Sequence, residues 1–206
     1  MIFSAASTGS AAVIGKTSYG YVEKFTYGNQ NSTIKIVYVT GVHPLEDEFS
    51  FDIADAVKNQ SSSLRYKYIV YKIHVTKSAS DYNQSRMNGQ LLAKKIVVPD
   101  VIKTKPTFVF DIHENHGASS GYKDYRFIYP ISKGKYTLGI TRSIINKIHS
   151  ITIYIPPNPT SPKYVTGPIA NAKIPAIIRE TYHFDPASKK LQDAKLFINV
   201  VDNTPF

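Results

Sequence analysis

The chain of 206 residues contains no cysteine and no tryptophan, and only two methionines. Without cysteine it can form no disulfide, thiolate nucleophile, iron–sulfur cluster or cysteine-held zinc site, so any metal must be held by His, Asp or Glu. That absence fits a reducing cytoplasm and equally an exported protein without disulfides. Long hydrophobic runs are also missing. No stretch approaches the roughly 20 apolar residues a membrane-spanning helix needs. Acidic residues are scarce, 15 Asp and Glu against 25 Lys and Arg, for a formal charge of +10. Such a surface favours acidic partners, whether nucleic acid, anionic polymers or acidic small substrates. The lysines form no run of five, however, and no DNA- or RNA-binding motif is recognisable, so nucleic acid is not an expected partner. The opening "MIFSAASTGSAAVIG" lacks the positive n-region and continuous apolar core of a signal peptide. Residues 1–14 are expected either to lack order or to be what remains of a trimmed leader.

What is present suffices for one buried core. Hydrophobic residues make up 42% of the chain, enough for one domain and tight for two. No repeat, low-complexity block or linker divides it, so residues 1–206 read as a single domain. Strand-like and helix-like segments alternate. Residues 19–28, 32–41, 66–76, 107–113, 150–157 and 173–184 have the β-branched and aromatic content of strands. Residues 49–60, 85–97 and 136–148 read as helices, with Gly89 inside the second. A last helix opens at "DPAS", where Asp185 is expected to cap and Pro186 to take the first position. Ala187, Leu191, Ala194, Ile198 and Val201 are its expected apolar face. This alternation predicts an α/β single-domain fold, a mixed β-sheet with helices on both faces. The polar turn "NQNS" predicts that 19–28 and 32–41 form a hairpin.

In such sheets functional residues gather at the carboxyl ends of strands. His43 and Glu46 follow one predicted strand, His113 ends another, and Glu180 lies late in a third. His43-x-x-Glu46 alone is either half of a metal site or two polar residues sharing a turn. Taken together, the set is what a zinc site of two histidines and one glutamate requires, with an open position and a further carboxylate as general base. Asp111 lies two residues before His113, so both side chains leave one face of the strand, and Asp111 is placed to orient the imidazole. "HENH" (113–116) is one residue short of the zincin motif and follows a strand instead of lying on a helix, which argues against a zincin. His74, among apolar neighbours, reads as a packed or capped strand residue, and His149 and His183 show no evident partners. The stretch 115–135 is long for a connection without structure and mixes Tyr, Lys and Arg; Arg126 is its candidate substrate contact.

The order "HPLE" with His43 and Glu46, "FVFDIH" with His113 and "AIIRETY" with Glu180 resembles the zinc carboxypeptidase superfamily. The likeness is closest to its compact members of the succinylglutamate desuccinylase and aspartoacylase type, and it runs from about Gly15 to Val201. "GKTSYGYVEKFTYGN" resembles the family's opening hairpin. The resemblance implies that His43, Glu46 and His113 hold Zn²⁺ and that Glu180 is general base and then acid. It also implies an arginine for a substrate carboxylate or the oxyanion. "DYNQSRMNG" offers Arg86 for that role, with Asn83 beside it, although the family's Asn-Arg pair is split here. Pro44 stands where the family has glycine. The family's substrate-facing tyrosine has Tyr182, Tyr122 and Tyr125 as candidates.

The expected activity is therefore zinc-dependent hydrolysis of an amide bond in a small peptide, an N-acyl amino acid or a cell-wall peptide. The alternative is a non-enzymatic basic module on the same scaffold that binds an anionic glycan or cell-wall polymer.

Overall fold

The computed structural model describes residues 10–157 and 159–206. Eight strands form one mixed sheet: β1 (Ala11–Thr17), β2 (Gly20–Gly28), β3 (Lys35–Thr40), β4 (Lys67–Val75), β5 (Phe108–Asn115), β6 (Phe127–Pro130), β7 (Thr152–Ile153) and β8 (Ala176–Tyr182). Their spatial order is β1-β2-β4-β3-β5-β8-β6-β7. The centre, β4-β3-β5-β8, is parallel, and the β1-β2, β2-β4 and β6-β8 pairings are antiparallel. The described residues also form six α-helices: α1 (Glu48–Asn59), α2 (Tyr82–Leu92), α3 (Val98–Thr104), α4 (Lys135–Ile145), α5 (Thr166–Asn171) and α6 (Ala187–Asp202).

The helices lie on both faces, as the strand patterning requires. Side chains alternate along a strand, and a sheet buried on both sides needs two apolar sets. One core joins Tyr38, Phe108, Phe110 and Ile177 to Phe49 and Ile53 of α1, Ile144 of α4 and Phe197 of α6. The other joins Val37, Val39, Val109 and Ala176 to Leu92, Val101 and Ile169 beneath α2, α3 and α5. On β5 this alternation sends Asp111, His113 and Asn115 to the second face and Glu114 to the first.

Several expectations are corrected. The first hairpin joins β1 to β2; the segments 19–28 and 32–41 are not neighbours, because β4 lies between β2 and β3. A parallel β3-β4 pair needs the α1 crossover, which the short "NQNS" turn does not reveal. Residues 11–14 of the expected disordered stretch belong to β1, while residues 1–9 lie outside the described residues. The segment 150–157 yields only the two-residue β7, since the prolines that follow cannot extend a ladder. The helix expected over 85–97 runs further: α2, a π-wound turn at Ala93–Val97 and α3 are continuous. Pro99 can neither donate to the carbonyl four residues back nor avoid its bulk, and wider winding before it relieves that conflict.

At α6 the cap is Pro186, with no side-chain bond, and Asp185 instead pairs with Arg126. The buried face of α6 is Lys190, Ala194, Phe197, Ile198 and Val201, while Leu191 is exposed. No described helix is long and apolar enough to cross a membrane.

Candidate active site

Gly41 ends β3 in the left-handed region (φ 75°), which turns the chain back across the strand ends. Its N–H donates to Ser50 Oγ at 3.1 Å, tying the loop to α1. Glu46 N–H then donates to the His43 carbonyl at 2.9 Å. The two readings of His43-x-x-Glu46 are thus compatible: the residues share a turn, and the turn aims both side chains inward.

His43 meets His113 there. Their Nδ1 atoms lie 3.1 Å apart although the residues are 70 apart in sequence, and Glu46 Oε2 lies 3.8 Å from His43 Nδ1. All three residues are buried. Each imidazole is held by its other nitrogen. His113 Nε2 lies 2.9 Å from Asp111 Oδ1, and His43 Nε2 lies 3.1 Å from Gln90 Nε2. Burial, the neighbouring His113 and Arg86 push the His43 pKa well down, so the ring is neutral. Burial also opposes charge on His113, but the Asp111 carboxylate outweighs it and the pKa is raised.

Glu180 is the Cα partner of His113 on the adjacent strand and is buried. Burial pushes its pKa up to about 7 against the pull of His113, the Asn115 amide and Arg86. Asn115 Nδ2 donates to Glu180 Oε2 at 3.3 Å and to the carbonyls of Tyr125 and Thr181, which fixes the carboxylate.

A cleft of about 250 Å³ opens over these groups, with Glu46, Arg86, Tyr122, Thr160 and Glu180 in its walls. A smaller contiguous hollow is walled by Pro156, Pro159 and Pro162 over Phe127, Tyr129 and Ile178. Arg86 is the single arginine or lysine among the described lining residues, and its guanidinium rests on Glu46. Tyr122 and Tyr82 both line the cleft; burial and then Glu180 raise the Tyr122 pKa to about 12.

Three sequence candidates are not brought into this group. Arg126 forms a two-pronged pair with Asp185, Asn83 is exposed on α2, and Tyr182 stacks on Tyr125 with ring centroids 4.8 Å apart. Arg126 also lies outside the lining of the cleft, where Arg86 stands. Sequence reasoning missed Gln90, Ser161 and Asn115. The first lies one residue after Gly89 in a helix, and the second lies in a proline-rich loop, so neither falls at a strand end. Asn115 lay within "HENH", next to residues already considered.

Ser161, His113 and Asp111 have the composition of a nucleophilic triad but not its geometry. Ser161 Oγ and Asp111 Oδ1 both approach the same nitrogen, His113 Nε2, at 3.2 and 2.9 Å. A triad needs them on opposite nitrogens.

The fit to a zinc ion can be judged from the donor atoms. Ligands around a tetrahedral zinc with bonds of about 2.0–2.1 Å lie about 3.3 Å apart. The observed 3.1 and 3.8 Å bracket that separation. Glu46 Oε2 is buried beside His43, with the Arg86 guanidinium as its ionic partner. Among the described residues, no three such side chains already stand as a complete cage. The reason lies at Glu46. Its Oε1 accepts from Tyr82 OH at 2.8 Å and lies 3.2 Å from His116 Nε2, while Arg86 rests against Oε2. The donor set therefore suits a divalent cation, with Arg86 its competitor for the carboxylate.

No protein-family model matches the sequence, and no curated protein matches it. Solved structures do. A metallo-carboxypeptidase from Burkholderia cenocepacia superposes with a TM-score of 0.64 at 9% identity, over 95% of this chain and 64% of that one. The LapA aminopeptidase of Legionella pneumophila gives 0.64 at 12% identity, over 98% and 60%. The tripeptide-bound cell shape determinant Csd4 of Helicobacter pylori gives 0.61 at 11% identity, over 89% and 56%. The chain thus spans less than two thirds of the length of these three proteins. Identities this low speak for architecture alone, and that architecture is the metallo-carboxypeptidase fold.

Proposed function

We propose that the protein is a zinc-dependent hydrolase that cleaves an amide bond. The observation that carries this reading is the 3.1 Å approach of His43 Nδ1 to His113 Nδ1, with a buried glutamate on either side. His43, Glu46 and His113 would hold Zn²⁺, which when bound polarises a carbonyl and lowers the pKa of water. Glu180 accepts the proton of the attacking water and returns it to the leaving amine nitrogen. A carboxylate whose pKa sits near neutrality is suited to both halves of that task. Asn115 holds the carboxylate in place through both steps.

Arg86 exchanges its contact with Glu46 for the developing oxyanion or a substrate carboxylate, and a fixed guanidinium serves that role better than a lysine. With one cation in the described cleft wall, it serves one of these two roles at a time. The walls of proline, tyrosine and isoleucine suit a short peptide, an N-acyl amino acid or a cell-wall peptide. The tripeptide held by Csd4 supports the peptide class.

Elemental analysis of protein purified without a nickel column tests the metal. One zinc per chain is expected, and His113→Ala should lose it; full zinc content in that variant would refute the ligand assignment. Glu180→Gln should keep zinc and lose roughly 10²–10⁴-fold in turnover. If glycan binding persisted with a chelator present and Glu180→Gln changed nothing, the basic binding module would be the better account.

A further inference from the structure

Gln90 stands in α2 with its side chain buried against His43, and no role above uses it. Its Nε2 lies 3.1 Å from His43 Nε2 and 3.4 Å from Thr160 Oγ1, and its Oε1 has no partner among the described residues. An amide N–H pointing at an imidazole nitrogen requires a lone pair there. A neutral imidazole carries one proton, so it must sit on His43 Nδ1. Nδ1 faces His113 Nδ1, and His113 donates its own proton from Nε2 to Ser161 Oγ at 3.2 Å, which donates in turn to Asp111 Oδ2 at 3.1 Å. The chain of bonds is then consistent from Gln90 through His43, His113 and Ser161 to Asp111, each contact having one donor and one acceptor.

Zinc requires a different arrangement. Both Nδ1 atoms must present lone pairs, so the His43 proton must sit on Nε2. An amide nitrogen facing that N–H would set two donors against each other. Half a turn about the last side-chain bond of Gln90 puts Oε1 there instead, where it accepts from Nε2–H and from Thr160 Oγ. The turn only exchanges an unpartnered carbonyl for an unpartnered amide. A carboxylate at this position could serve the second state alone, and an apolar residue neither.

We propose that Gln90 is a positioning residue for His43 whose amide serves both tautomers, donating to Nε2 in the metal-free protein and accepting from it when Zn²⁺ is bound. The proton passes from Nδ1 to Nε2 of the same ring by way of solvent, with no net release from His43. The inference rests on the proposed reading of His43 as a zinc ligand. Partners that orient ligating imidazoles typically contribute roughly 10–100-fold to metal affinity.

The test is long-range ¹H–¹⁵N spectroscopy of histidine-labelled full-length protein at mildly alkaline pH, before and after one equivalent of zinc, with zinc affinity measured by chelator competition. Wild type should hold the His43 proton on Nδ1 without zinc and on Nε2 with it. Gln90→Glu should carry it on Nε2 already without zinc and bind at least as tightly as wild type. Gln90→Leu should bind roughly 10–100-fold more weakly. A metal-free wild type with Nε2 protonated, or a Leu variant of undiminished affinity, overturns the inference. The wild-type spectra need no substitution, so misfolding of a variant cannot hide the answer. Zinc uptake without the tautomer change sinks this inference alone, whereas no uptake by wild type sinks the metal reading and this inference with it.

Discussion

Gly89 shows how a residue that weakens a helix can still be required there. A Cβ at this position would overlap the carbonyl oxygen of Val42, the residue before His43. Helix α2 therefore touches the backbone of the loop that carries His43, and Gln90, the next residue, reaches the ring. Alanine normally favours a helix by about 1 kcal/mol over glycine. Here Gly89→Ala should instead destabilise by about 1–3 kcal/mol through overpacking and loosen zinc binding; urea unfolding and chelator competition would measure the two losses. In the sequence, Gly89 reads only as a blemish, because helix propensity is local and the Val42 carbonyl arrives from 47 residues away on another element, the same separation as between Gln90 and His43.

Glu180 makes a second prediction at this scale. Its folded pKa of about 7 lies above the ordinary 4.5, so the folded state binds the proton more tightly than the unfolded one. Its stabilising contribution is therefore complete below about 4.5 and is lost as pH rises through about 7. Metal-free wild type and Glu180→Gln should melt together at pH 4.5, with the Gln variant the more stable above pH 7. A constant difference in melting temperature across that range would refute the assignment. Its place late in an apolar strand was legible. Its proton affinity was not, because that depends on burial and on Asn115 and Arg86, which only the fold brings near.

At the scale of elements, β5 serves both faces of the sheet. His113 faces the cleft, while Glu114 faces the opposite core and accepts from Phe49 N–H at 2.5 Å, at the amino end of α1. Lys190 of α6 lies 3.1 Å from Glu114 and 2.6 Å from Glu48, and His183 lies 2.7 Å from Glu114. One buried carboxylate thus joins β5, α1 and α6 behind the loop that carries Glu46. Lys190→Met leaves that carboxylate without its closest-buried cation and should cost about 3–5 kcal/mol. Denaturant titration checks this, and adding Glu114→Gln to the same chain should recover part of the loss. A cost below about 1 kcal/mol would show that His183 alone balances Glu114.

The expected apolar face of α6 missed Lys190 because a hydrophobic period treats lysine as solvent-facing, whereas this one is buried by its carboxylates. The strands themselves were legible from β-branched and aromatic content. Their neighbours were not, since sheet order depends on crossovers that leave little mark on composition.

For the whole molecule, the two-sided α/β sheet was legible from the alternation of segments, and the convergence of three strand ends from their order. The charge of +10 was legible too, yet it does not define the cleft, where Arg86 is the single described arginine or lysine among several carboxylates. A ligand that binds only the folded protein stabilises the whole of it. Zinc at a hundred times its dissociation constant should add about 2.7 kcal/mol. Calorimetry should show the melting temperature rising with zinc, falling again with chelator, and unmoved by either in His113→Ala. A rise of equal size in that variant would place the ion elsewhere.

The parallel pairing of β3, β5 and β8 has a consequence for assembly in time. His43 follows β3, His113 lies in β5 and Glu180 in β8, strands that meet only after long crossovers have closed, and such non-local pairing is slow. An ion cannot seed this architecture by gripping neighbours in the chain, as it does in a small finger. Cobalt supplied during refolding should therefore develop its visible bands with the last kinetic phase, making colour a clock for completion of the central sheet.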